Sequence, residues 1–544
     1  EFTFYDNDHE VMPRSAKYFL KNTSEVRQYQ SVVKHKEKSL LLEKRQHHRF
    51  LVRTHHGHGD IYKTILFVKL LFLFTNKFAS LDAQGVGIEM ESDKPSWLDA
   101  LNGLPGLLGS SLPETFELKR LCLFMIQSFE DLELDLNQEF SLPAELYEFI
   151  RSLSIHLEKH FKDRSPDRNF RFWDLATHAK EKFRKAVFFG LSGKEKRISL
   201  GEVKQFLEHA REKIEQGIEK AFDVDKKIYP TYFQNEVTHF KVLKKNVEWK
   251  DESSSQKISV EPTQFKQIPL PLFLEGPVHA LKVEKDPAKR RDLLKAVRAS
   301  GLYDTKLGMY KVNAPLGDVS LEIGRVSIFT PGWLENESIW LHMEYKLMLE
   351  MLKNGMADEF FGDFKSALVP FQSPERYGRS ILENSSFIAS SAFLDPSLHG
   401  TGFVARLSGS TAELLTMWLI MNIGKKPFIL GVDKKLSLRF EPTLPAFLFT
   451  KEASTRKFLD PEGEEVKVKV PEQCLAFMFL GKTLVFYHNP KKLDTFGKVR
   501  VNVKVITLHD PKTGKQEFRG DTVPSPYAGK VREGLIPRID IELG

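Results

Sequence analysis

Two stretches of the sequence alternate apolar and polar side chains: Val466-Lys467-Val468-Lys469-Val470 and Val499-Arg500-Val501-Asn502-Val503-Lys504-Val505. This period of two residues is typical of half-buried strands. Upstream, over residues 203–221, apolar residues recur every three or four positions behind a Ser199-x-x-Glu202 capping box, which predicts an amphipathic helix. The order predicts a large helical domain followed, from about residue 431, by an antiparallel β domain, an α+β arrangement.

Length and composition exclude several classes of protein. The chain has 544 residues, 41% of them apolar and 28% charged, which excludes a small disulfide scaffold and global disorder and predicts two or more domains. The net charge of +7, from 80 basic and 73 acidic residues, is too dilute to predict nucleic-acid binding. Cys122 and Cys474 lie far apart outside any metal-ligand spacing, which predicts two reduced, buried thiols in a cytoplasmic protein.

No segment has the pattern of a membrane span, a secretory signal or a metal site. The longest apolar run, residues 65–74, is about half the length of a span and contains Lys69, so it predicts a buried helix. The histidines of His55-His56-Gly57-His58-Gly59-Asp60 lack helical i, i+4 spacing, and a surface loop is expected there.

The pattern divides the rest of the chain into further segments. Residues 141–240 are dense in charge and predict a peripheral helical insertion without chemistry. Residues 241–268, which include Glu252-Ser253-Ser254-Ser255-Gln256, are polar and irregular and predict a connector. Helices are expected over residues 340–356 and 411–423, and Gly481-Lys482 predicts a two-residue type II′ hairpin.

The first candidate site is the segment Lys94-Pro95-Ser96-Trp97-Leu98-Asp99-Ala100-Leu101-Asn102-Gly103-Leu104-Pro105-Gly106. A tryptophan face packs on a sugar ring, an amide binds hydroxyl groups, and apolar surroundings favour a protonated carboxyl that donates its proton. The alternative is that Trp97 belongs to the core and Asp99 caps a helix that starts at Ala100.

The second and third candidate segments also have two interpretations. In the second, Glu335 and His342 are seven residues apart, so on a helix both face one cavity, or Glu335 is a first-turn acid and His342 a core histidine. In the third, Leu382-Glu383-Asn384-Ser385-Ser386-Phe387 is followed by Arg406-Leu407-Ser408-Gly409-Ser410-Thr411. Hydroxyl groups and a glycine before a helix form an anion site or a simple cap.

Together these segments resemble the cellobiose phosphorylase-like family of inverting glycoside phosphorylases over most of residues 50–130 and 268–430. Three motifs carry the resemblance: Trp97-Leu98-Asp99-Ala100-Leu101-Asn102, Glu335-Asn336-Glu337-Ser338-Ile339-Trp340-Leu341-His342 and Ser408-Gly409. The chain departs from the family's pattern at Leu98, where the family has Asn, at Glu337-Ser338, where it has two glycines, and at Ser408, where it has Thr.

The resemblance implies a mainly α fold, with an (α/α)6 barrel catalytic domain over residues 1–430 that carries the insertion at 141–240, and a small antiparallel, jelly-roll-like β domain over 431–544. It implies reversible, inverting phosphorolysis of a β-linked glucoside or β-glucan oligosaccharide to α-glucose 1-phosphate, with inorganic phosphate as co-substrate and no metal or cofactor. Implied roles are the general acid for Asp99, sugar binding for Trp97, Asn102 and Glu335, and phosphate binding for His342, Ser408 and Gly409.

Two other functions stay open on the sequence. In an inverting glycoside hydrolase of the same fold, Glu335 is the base that activates water. In a non-catalytic carbohydrate-binding subunit or scaffold, the barrel remains without turnover. Family members carry a phosphate-binding arginine in an N-terminal half, which no arginine here matches, so that half is expected as a partner, either separate or cleaved. A homo-oligomer is also expected, and neither nucleic acid nor a membrane is expected as a partner.

Overall fold

A computed structural model of the protein describes residues 1–94, 97–247, 257–404, 408–460 and 463–544. Contacts group the chain into two compact units, one made of Glu1–Trp340 with Phe387–Gly400 and the other of Leu341–Ser386 with Thr401–Gly544. The predicted division at residue 430 stays a prediction. Pro95, Ser96, Arg406, Leu407 and the polar run at 252–256 lie outside the described residues.

The helices of the first unit precede residue 300. They are α1 (Lys36–Glu43), α2 (Leu66–Phe78), α3 (Leu112–Asp131), α4 (Ala144–Lys162), α5 (Arg168–Val187), α6 (Leu200–Ala221), α7 (Glu275–Val283) and α8 (Pro287–Ala299). The apolar run at 65–74 forms most of α2, so the predicted helix is confirmed, but it is buried on one face only, since Leu66 and Leu73 are exposed. No helix among the described residues has both the length and the apolar composition needed to cross a membrane.

The strands of the first unit are mostly short, apart from one long pair. They are β1 (His9–Val11), β2 (Tyr18–Leu20), β3 (Val26–Gln28), β4 (Val32–Lys34), β5 (Ile88–Glu89), β6 (Ser110–Ser111), β7 (Glu139–Pro143), β8 (Glu195–Ser199), β9 (Tyr232–Val247), β10 (Lys257–Pro269), β11 (Tyr303–Asp304), β12 (Met309–Tyr310), β13 (Ile339–Trp340) and β14 (Phe387–Ile388). Within the described ranges, one sheet has the strand order β3-β2-β10-β9-β6-β5.

The expectation of a mainly α fold with an (α/α)6 barrel is wrong. Of the residues that the structure describes, 38% are helical and 24% lie in strands. The largest departure is the predicted connector at 241–268, which forms parts of β9 and β10. These strands pair antiparallel from Phe233 and Pro269 to Val247 and Lys257. Several charged residues of β9 are exposed, so the composition is polar although Val237 and Phe233 are buried.

The predicted amphipathic helix at 203–221 is confirmed as α6, and both hydrogen bonds of the Ser199–Glu202 capping box are present. Its apolar face is buried and packs on α3. Gly217 lies at a close approach, because a Cβ there would overlap the carbonyl oxygen of Gly85. The helix therefore packs on the core of the first unit through this face, while residues such as Glu202 and Gln205 on its other face are exposed.

The second unit contains helices from α9 onward. They are α9 (Leu341–Lys353), α10 (Ala357–Ala367), α11 (Pro374–Tyr377), α12 (Ser408–Asn422) and α13 (Tyr527–Arg532). Its strands are β15 (Gly402–Phe403), β16 (Phe428–Leu430), β17 (Leu436–Arg439), β18 (Ser454–Leu459), β19 (Glu465–Val470), β20 (Cys474–Phe479), β21 (Thr483–His488), β22 (Val503–Asp510), β23 (Gly514–Arg519), β24 (Thr522–Val523) and β25 (Arg538–Leu543). The helices predicted at 340–356 and 411–423 correspond to α9 and α12.

The C-terminal strands form a sheet that corrects two expectations. Its order among the described strands is β20-β21-β25-β22-β23, and because β21 and β25 are parallel, the sheet is mixed and not purely antiparallel. The β20–β21 hairpin pairs Phe479 with Thr483, so its loop has three residues. Leu480 and Gly481 both have positive φ (54° and 66°), a type I′ combination in place of the predicted type II′ turn.

The two cysteines are free and buried, as predicted, with Cys122 in α3 and Cys474 in β20. Burial raises the pKa of each thiol to about 12, because the charged thiolate is poorly solvated inside the protein. Both groups are therefore unreactive side chains of the core.

We expect Gly217→Ala to lower the stability of the first unit by about 1 to 3 kcal/mol, because the added methyl group forces α6 away from the backbone at Gly85. Gly362→Ala is the matched control, since Gly362 lies exposed in α10 with open space around its Cβ position. That variant should be unchanged or more stable by about 0.5 to 1 kcal/mol. Differential scanning calorimetry measures both, and an unchanged transition in Gly217→Ala contradicts the packing.

Candidate functional site

The segment that contains Asp99 presents its polar side chains to solvent. Asp99 opens a short 3-10 turn, Asp99–Leu101, and Leu98, Ala100 and Leu101 are buried beneath it. The Trp97 residue is 43% exposed and the Asp99 side chain 68% exposed. Burial of the intervening apolar residues thus fixes the backbone and leaves an aromatic ring and a carboxylate accessible to a ligand.

Neither part of the structural alternative for this segment holds. Trp97 is too exposed to be a core residue. The N-cap residue of the turn is Leu98, and the Asp99 carboxylate accepts a hydrogen bond from the guanidinium group of Arg325. The ion pair is exposed on both sides, and such pairs are worth about 0 to 1 kcal/mol, so a ligand can replace either partner at small cost.

Arg325 reaches Asp99 because two loops of the first unit approach closely. The backbone N–H of Gly103 donates to the carbonyl of Ile323 at 3.1 Å, and the N–H of Arg325 donates to Oδ1 of Asn102 at 3.1 Å. Gly324 has φ 123°, and a Cβ there would collide with Asn102. The sequence analysis missed Arg325, although its neighbour Gly324 marks a conformation that only glycine adopts readily.

Glu335 shares the electrostatic environment of this ion pair. Burial raises the pKa of the half-buried Glu335 carboxyl, the nearby Arg325 opposes that shift, and the negative charge of Asp99 adds to it. The prediction that Glu335 and His342 lie two turns apart on one helix is wrong, because α9 begins only at Leu341. Glu335 belongs to a turn in which Trp333 and Asn336 form an isolated bridge.

Buried polar contacts hold the turn that carries Glu335. Lys311 Nζ lies 2.9 Å from Oε2 of Glu337, and both residues are buried. The N–H of Glu337 donates to Oδ1 of Asn313 at 2.8 Å, and the Asn313 amide donates to Oδ1 of Asn336 at 3.2 Å. Glu337 has φ 54°, a left-handed conformation that glycine adopts more readily than glutamate does. The Lys311 contact therefore stabilises a strained position beside Glu335.

A second group of charges lies on the same loop as Arg325. Lys21 Nζ donates to Glu322 at 2.7 Å, and Nε of Arg27 donates to it at 2.8 Å. The hydrogen bonds and positive charges of Arg27 and Lys21 together lower the pKa of Glu322 to about 2, against the effect of burial, and the hydrogen bond from Arg27 is the largest cause. Glu322 thus stays ionised and ties the loop to the segment that contains β2 and β3. Sequence reasoning had no signal for these residues.

In the second unit, the structure brings His342 and Gly409 together. His342 is the second residue of α9 and Gly409 the second of α12, and a Cβ at Gly409 would lie 2.6 Å from Nδ1 of the His342 ring. Nε2 of His342 lies 3.8 Å from Oε1 of Glu413. The nearby His342 lowers the pKa of the Glu413 carboxyl, which favours an ionised Glu413 beside the ring.

Ser408 is the first residue of α12. Because Gly409 of α12 contacts the ring of His342 of α9, the N-terminal ends of the two helices lie side by side. The amide of Asn384 donates to the hydroxyl of Thr411 at 3.2 Å, which joins the two halves of the third predicted segment. Helix N-termini carry partial positive charge and unpaired N–H groups, which favour an anion.

The predicted site residues thus fall into two groups. The first group belongs to the first unit. Asp99 and Asn102 accept hydrogen bonds from Arg325, and Trp97 lies in the same exposed segment as Asp99. The pKa of Glu335 depends on the charges of Arg325 and Asp99. His342, Ser408 and Gly409 belong to the second unit. The histidines at 55–58 lie exposed around a short turn, as predicted. No cluster of three or more His, Cys, Asp or Glu residues in the described part of the chain can hold a metal ion.

Comparisons with known proteins give only distant likenesses. No family model matches the chain, and no curated protein matches it. Among solved structures, GH63 mannosylglycerate hydrolase from Thermus thermophilus in complex with glucose has a TM-score of 0.24 and 11% identity over 70% of this chain and 99% of that one. Its complex with Tris has a TM-score of 0.23, 11% identity and the same coverage.

An uncharacterized conserved protein from the same organism also has a TM-score of 0.23 and 11% identity, over 70% of this chain and 98% of that one. Likenesses at this level support neither a fold family nor an activity for this chain. The resemblance to the cellobiose phosphorylase-like family stays a prediction from the three motifs.

We expect Lys311→Met to destabilise the first unit by about 3 to 5 kcal/mol, because it leaves the buried Glu337 carboxylate without its cation. Adding Glu337→Gln should restore much of that loss, since the charge that lacks a partner is then gone. Denaturant unfolding of both variants measures the effect. If the single and double variants lose the same stability, the contact is not an energetically coupled ion pair.

Proposed function

We propose that this protein is an enzyme that acts on glycosides, with Asp99 as the general acid. The observation that carries the proposal is the Asp99–Arg325 ion pair in the same electrostatic environment as Glu335. The carboxyl groups of Asp99 and Glu335 thus share one electrostatic environment, and the segment that carries Asp99 also carries an exposed tryptophan and an asparagine amide. Paired carboxyl groups near a surface that can stack on a sugar ring are the elements that cleavage of a glycosidic bond needs.

Arg325 also controls access to Asp99. In the free protein its guanidinium group donates to the Asp99 carboxylate, and both side chains are exposed. A ligand that binds at Asp99 displaces this group at a cost of about 0 to 1 kcal/mol. In the proposed reaction Asp99 then donates a proton to the glycosidic oxygen as the bond breaks. Arg325 is thus a positioning residue that ligand binding moves away from the acid.

We infer that the nucleophile is inorganic phosphate, as the resemblance implies. In that reaction phosphate attacks the anomeric carbon on the face opposite the leaving oxygen, and α-glucose 1-phosphate and a shortened acceptor result. The adjacent N-termini of α9 and α12, with the His342 ring against Gly409, support anion binding by His342, Ser408 and Gly409. Phosphate is an adequate nucleophile without a base, so it needs these donors instead of a second carboxylate.

The raised pKa of Glu335 favours inverting hydrolysis as a second candidate. A base that activates water works best when its pKa lies nearer neutrality, and burial shifts Glu335 in that direction. In this reaction Glu335 takes a proton from water while Asp99 donates one to the leaving group. The two candidates differ in their need for phosphate, which makes them separable in a single assay.

The deciding experiment incubates the protein with β-linked glucosides and β-glucan oligosaccharides, with and without inorganic phosphate. Phosphorolysis yields α-glucose 1-phosphate only when phosphate is present, and the reverse reaction releases phosphate from α-glucose 1-phosphate and an acceptor. Equal release of free glucose under both conditions identifies a hydrolase. The absence of turnover in either direction contradicts the proposal that the protein is an enzyme acting on these glycosides.

We expect Asp99→Asn to lower kcat by about 10²- to 10⁴-fold, because the amide cannot protonate the leaving oxygen. Asp318→Asn, an exposed aspartate outside the Arg325 cluster, should keep wild-type activity. Thermal unfolding of both variants should match the wild type, since the Asp99 ion pair is exposed. A wild-type rate for Asp99→Asn on a natural disaccharide excludes Asp99 as the acid.

We expect His342→Ala to raise the KM for phosphate, because a charge-assisted hydrogen bond to the anion is worth about 1.5 to 3 kcal/mol. The affinity for the acceptor sugar in synthesis should change much less, and the exposed His47→Ala should change neither. Initial rates against phosphate concentration measure the effect. Unchanged phosphate saturation in His342→Ala removes this residue from the phosphate site.

A further inference from the structure

A group of phenylalanine side chains meets at the surface of the second unit. Two of its rings are well exposed, Phe371 at 43% and Phe447 at 46%, and both pack on Phe364, which is buried. Two half-buried rings complete the group. We call it the aromatic patch, and its members are Phe361, Phe364, Phe371, Phe447 and Phe496.

Ring contacts join these side chains into one continuous surface. The centroid of Phe364 lies 4.8 Å from that of Phe371 and 6.4 Å from that of Phe447. Phe361 stacks on Phe496 at 5.2 Å with 15° between the ring planes, and it lies 5.3 Å from Phe364. These separations are those of aromatic pairs in contact. Single exposed apolar residues are normal on a protein surface, whereas a contiguous apolar patch is typical of an interaction site.

Hydrogen bonds hold the loops that carry the patch. The N–H of Ala446, the neighbour of Phe447, donates to Oδ1 of Asp494 at 2.7 Å, which joins this loop to the one that carries Phe496. The 3-10 turn Val369–Phe371 directly follows α10. Rings on a fixed backbone lose little conformational freedom when a partner binds, which favours association.

An exposed cation lies over the patch. Nζ of Lys365, a residue of α10, lies 4.5 Å from the centroid of the Phe447 ring. In the part of the chain that the structure describes, Lys365 forms no ion pair. The exposed Asp358 on the same helix is seven residues away, which is about 10 Å along the axis. The positive charge beside Phe447 is therefore open to a carboxylate from another molecule.

We propose that the aromatic patch is a docking surface for an acidic segment of a partner protein. In this complex, large apolar side chains of the partner pack on Phe371 and Phe447, and a carboxylate pairs with Lys365. A group that covers Phe447 also covers the amino group of Lys365. Burying an ammonium group without a partner opposes binding, so the partner supplies an acid.

The composition of the patch favours a protein over a neutral oligosaccharide. Phenylalanine rings have neither a donor nor an acceptor for the hydroxyl groups of a sugar, and burying those groups unpaired costs free energy. Large apolar side chains of a protein carry no such cost. Well-packed apolar anchors of this kind contribute most of the binding energy in protein interfaces.

The test is fluorescence anisotropy of labelled synthetic peptides titrated with the whole chain. One acidic peptide is helical and one is extended, and both carry leucine and phenylalanine anchors among glutamates. Each has a basic counterpart with lysine for glutamate and an acidic counterpart with alanine for the anchors. At least one anchored acidic peptide should bind about tenfold more tightly than both of its counterparts, and added salt should weaken its binding. If neither anchored acidic peptide binds, or if a counterpart binds equally well, the proposal is wrong.

Variants locate the binding. Phe371→Ala and Phe447→Ala should each weaken binding of the acidic peptide about tenfold or more. Phe124→Ala, which removes an exposed phenylalanine of α3 in the first unit, should leave it unchanged. Lys365→Glu should weaken binding of the acidic peptide and strengthen that of the basic one, and Lys515→Glu, at an exposed lysine of β23, should change neither.

Circular dichroism spectra and unfolding temperatures show whether each variant is folded. If an alanine variant unfolds, Lys365→Glu still decides, because it changes an exposed charge and leaves the ring contacts in place. Equal binding of the acidic peptide by wild type and Lys365→Glu overturns the proposal. Displacement of the peptide by cellopentaose also overturns it, since the patch is then a sugar surface. The peptides are not glycosides, so the result is independent of whether the protein cleaves a glycosidic bond.

Discussion

Two loops of the first unit touch through glycine, and the arrangement of charge around Arg325 depends on that contact. A Cβ at Gly103 would overlap the carbonyl oxygen of Glu322, and one at Gly324 would collide with the backbone at Ala100. Because only glycine allows this approach, the loops lie close enough for the Arg325 guanidinium to reach Asp99. Glu322, on the same loop as Arg325, accepts hydrogen bonds from Lys21 and Arg27. Packing of the backbone thus sets the electrostatics of the exposed carboxylate.

Local patterns in the sequence predicted the local elements well. The capping box and the apolar periodicity of α6, the helices α9 and α12, and the strand β19 all depend on residues within a few positions of each other. The fold class was wrong because β9 and β10 do not have the composition of typical strands. The exposed lysines and glutamates of these strands are typical of a polar connector. The two strands lie at the centre of a sheet because they pair with each other, and the sequence pattern does not show that pairing.

The candidate site divides in the same way. The order Trp97-Leu98-Asp99-Ala100-Leu101-Asn102 was enough to predict an acid beside an aromatic ring. It did not predict the exposure of Asp99, since apolar surroundings were expected for this carboxyl and its side chain is 68% exposed. Arg325 lies 226 positions from Asp99, and no periodicity or spacing connects them. The strained Glu337 illustrates a related limit: its left-handed backbone follows from contacts with Lys311 and Asn313, which are distant in sequence.

The position of β2 in the six-stranded sheet of the described chain has a consequence for biosynthesis. Phe19 of β2 pairs with Ser259 of β10, which is synthesised about 240 residues later. At about 5 to 20 residues per second, the ribosome needs roughly 10 to 50 s to supply it. During that interval the edge of the N-terminal strands has no neighbour to satisfy its N–H and C=O groups, and an unpaired edge attracts other chains. The N-terminal strands therefore keep an open edge until β10 emerges.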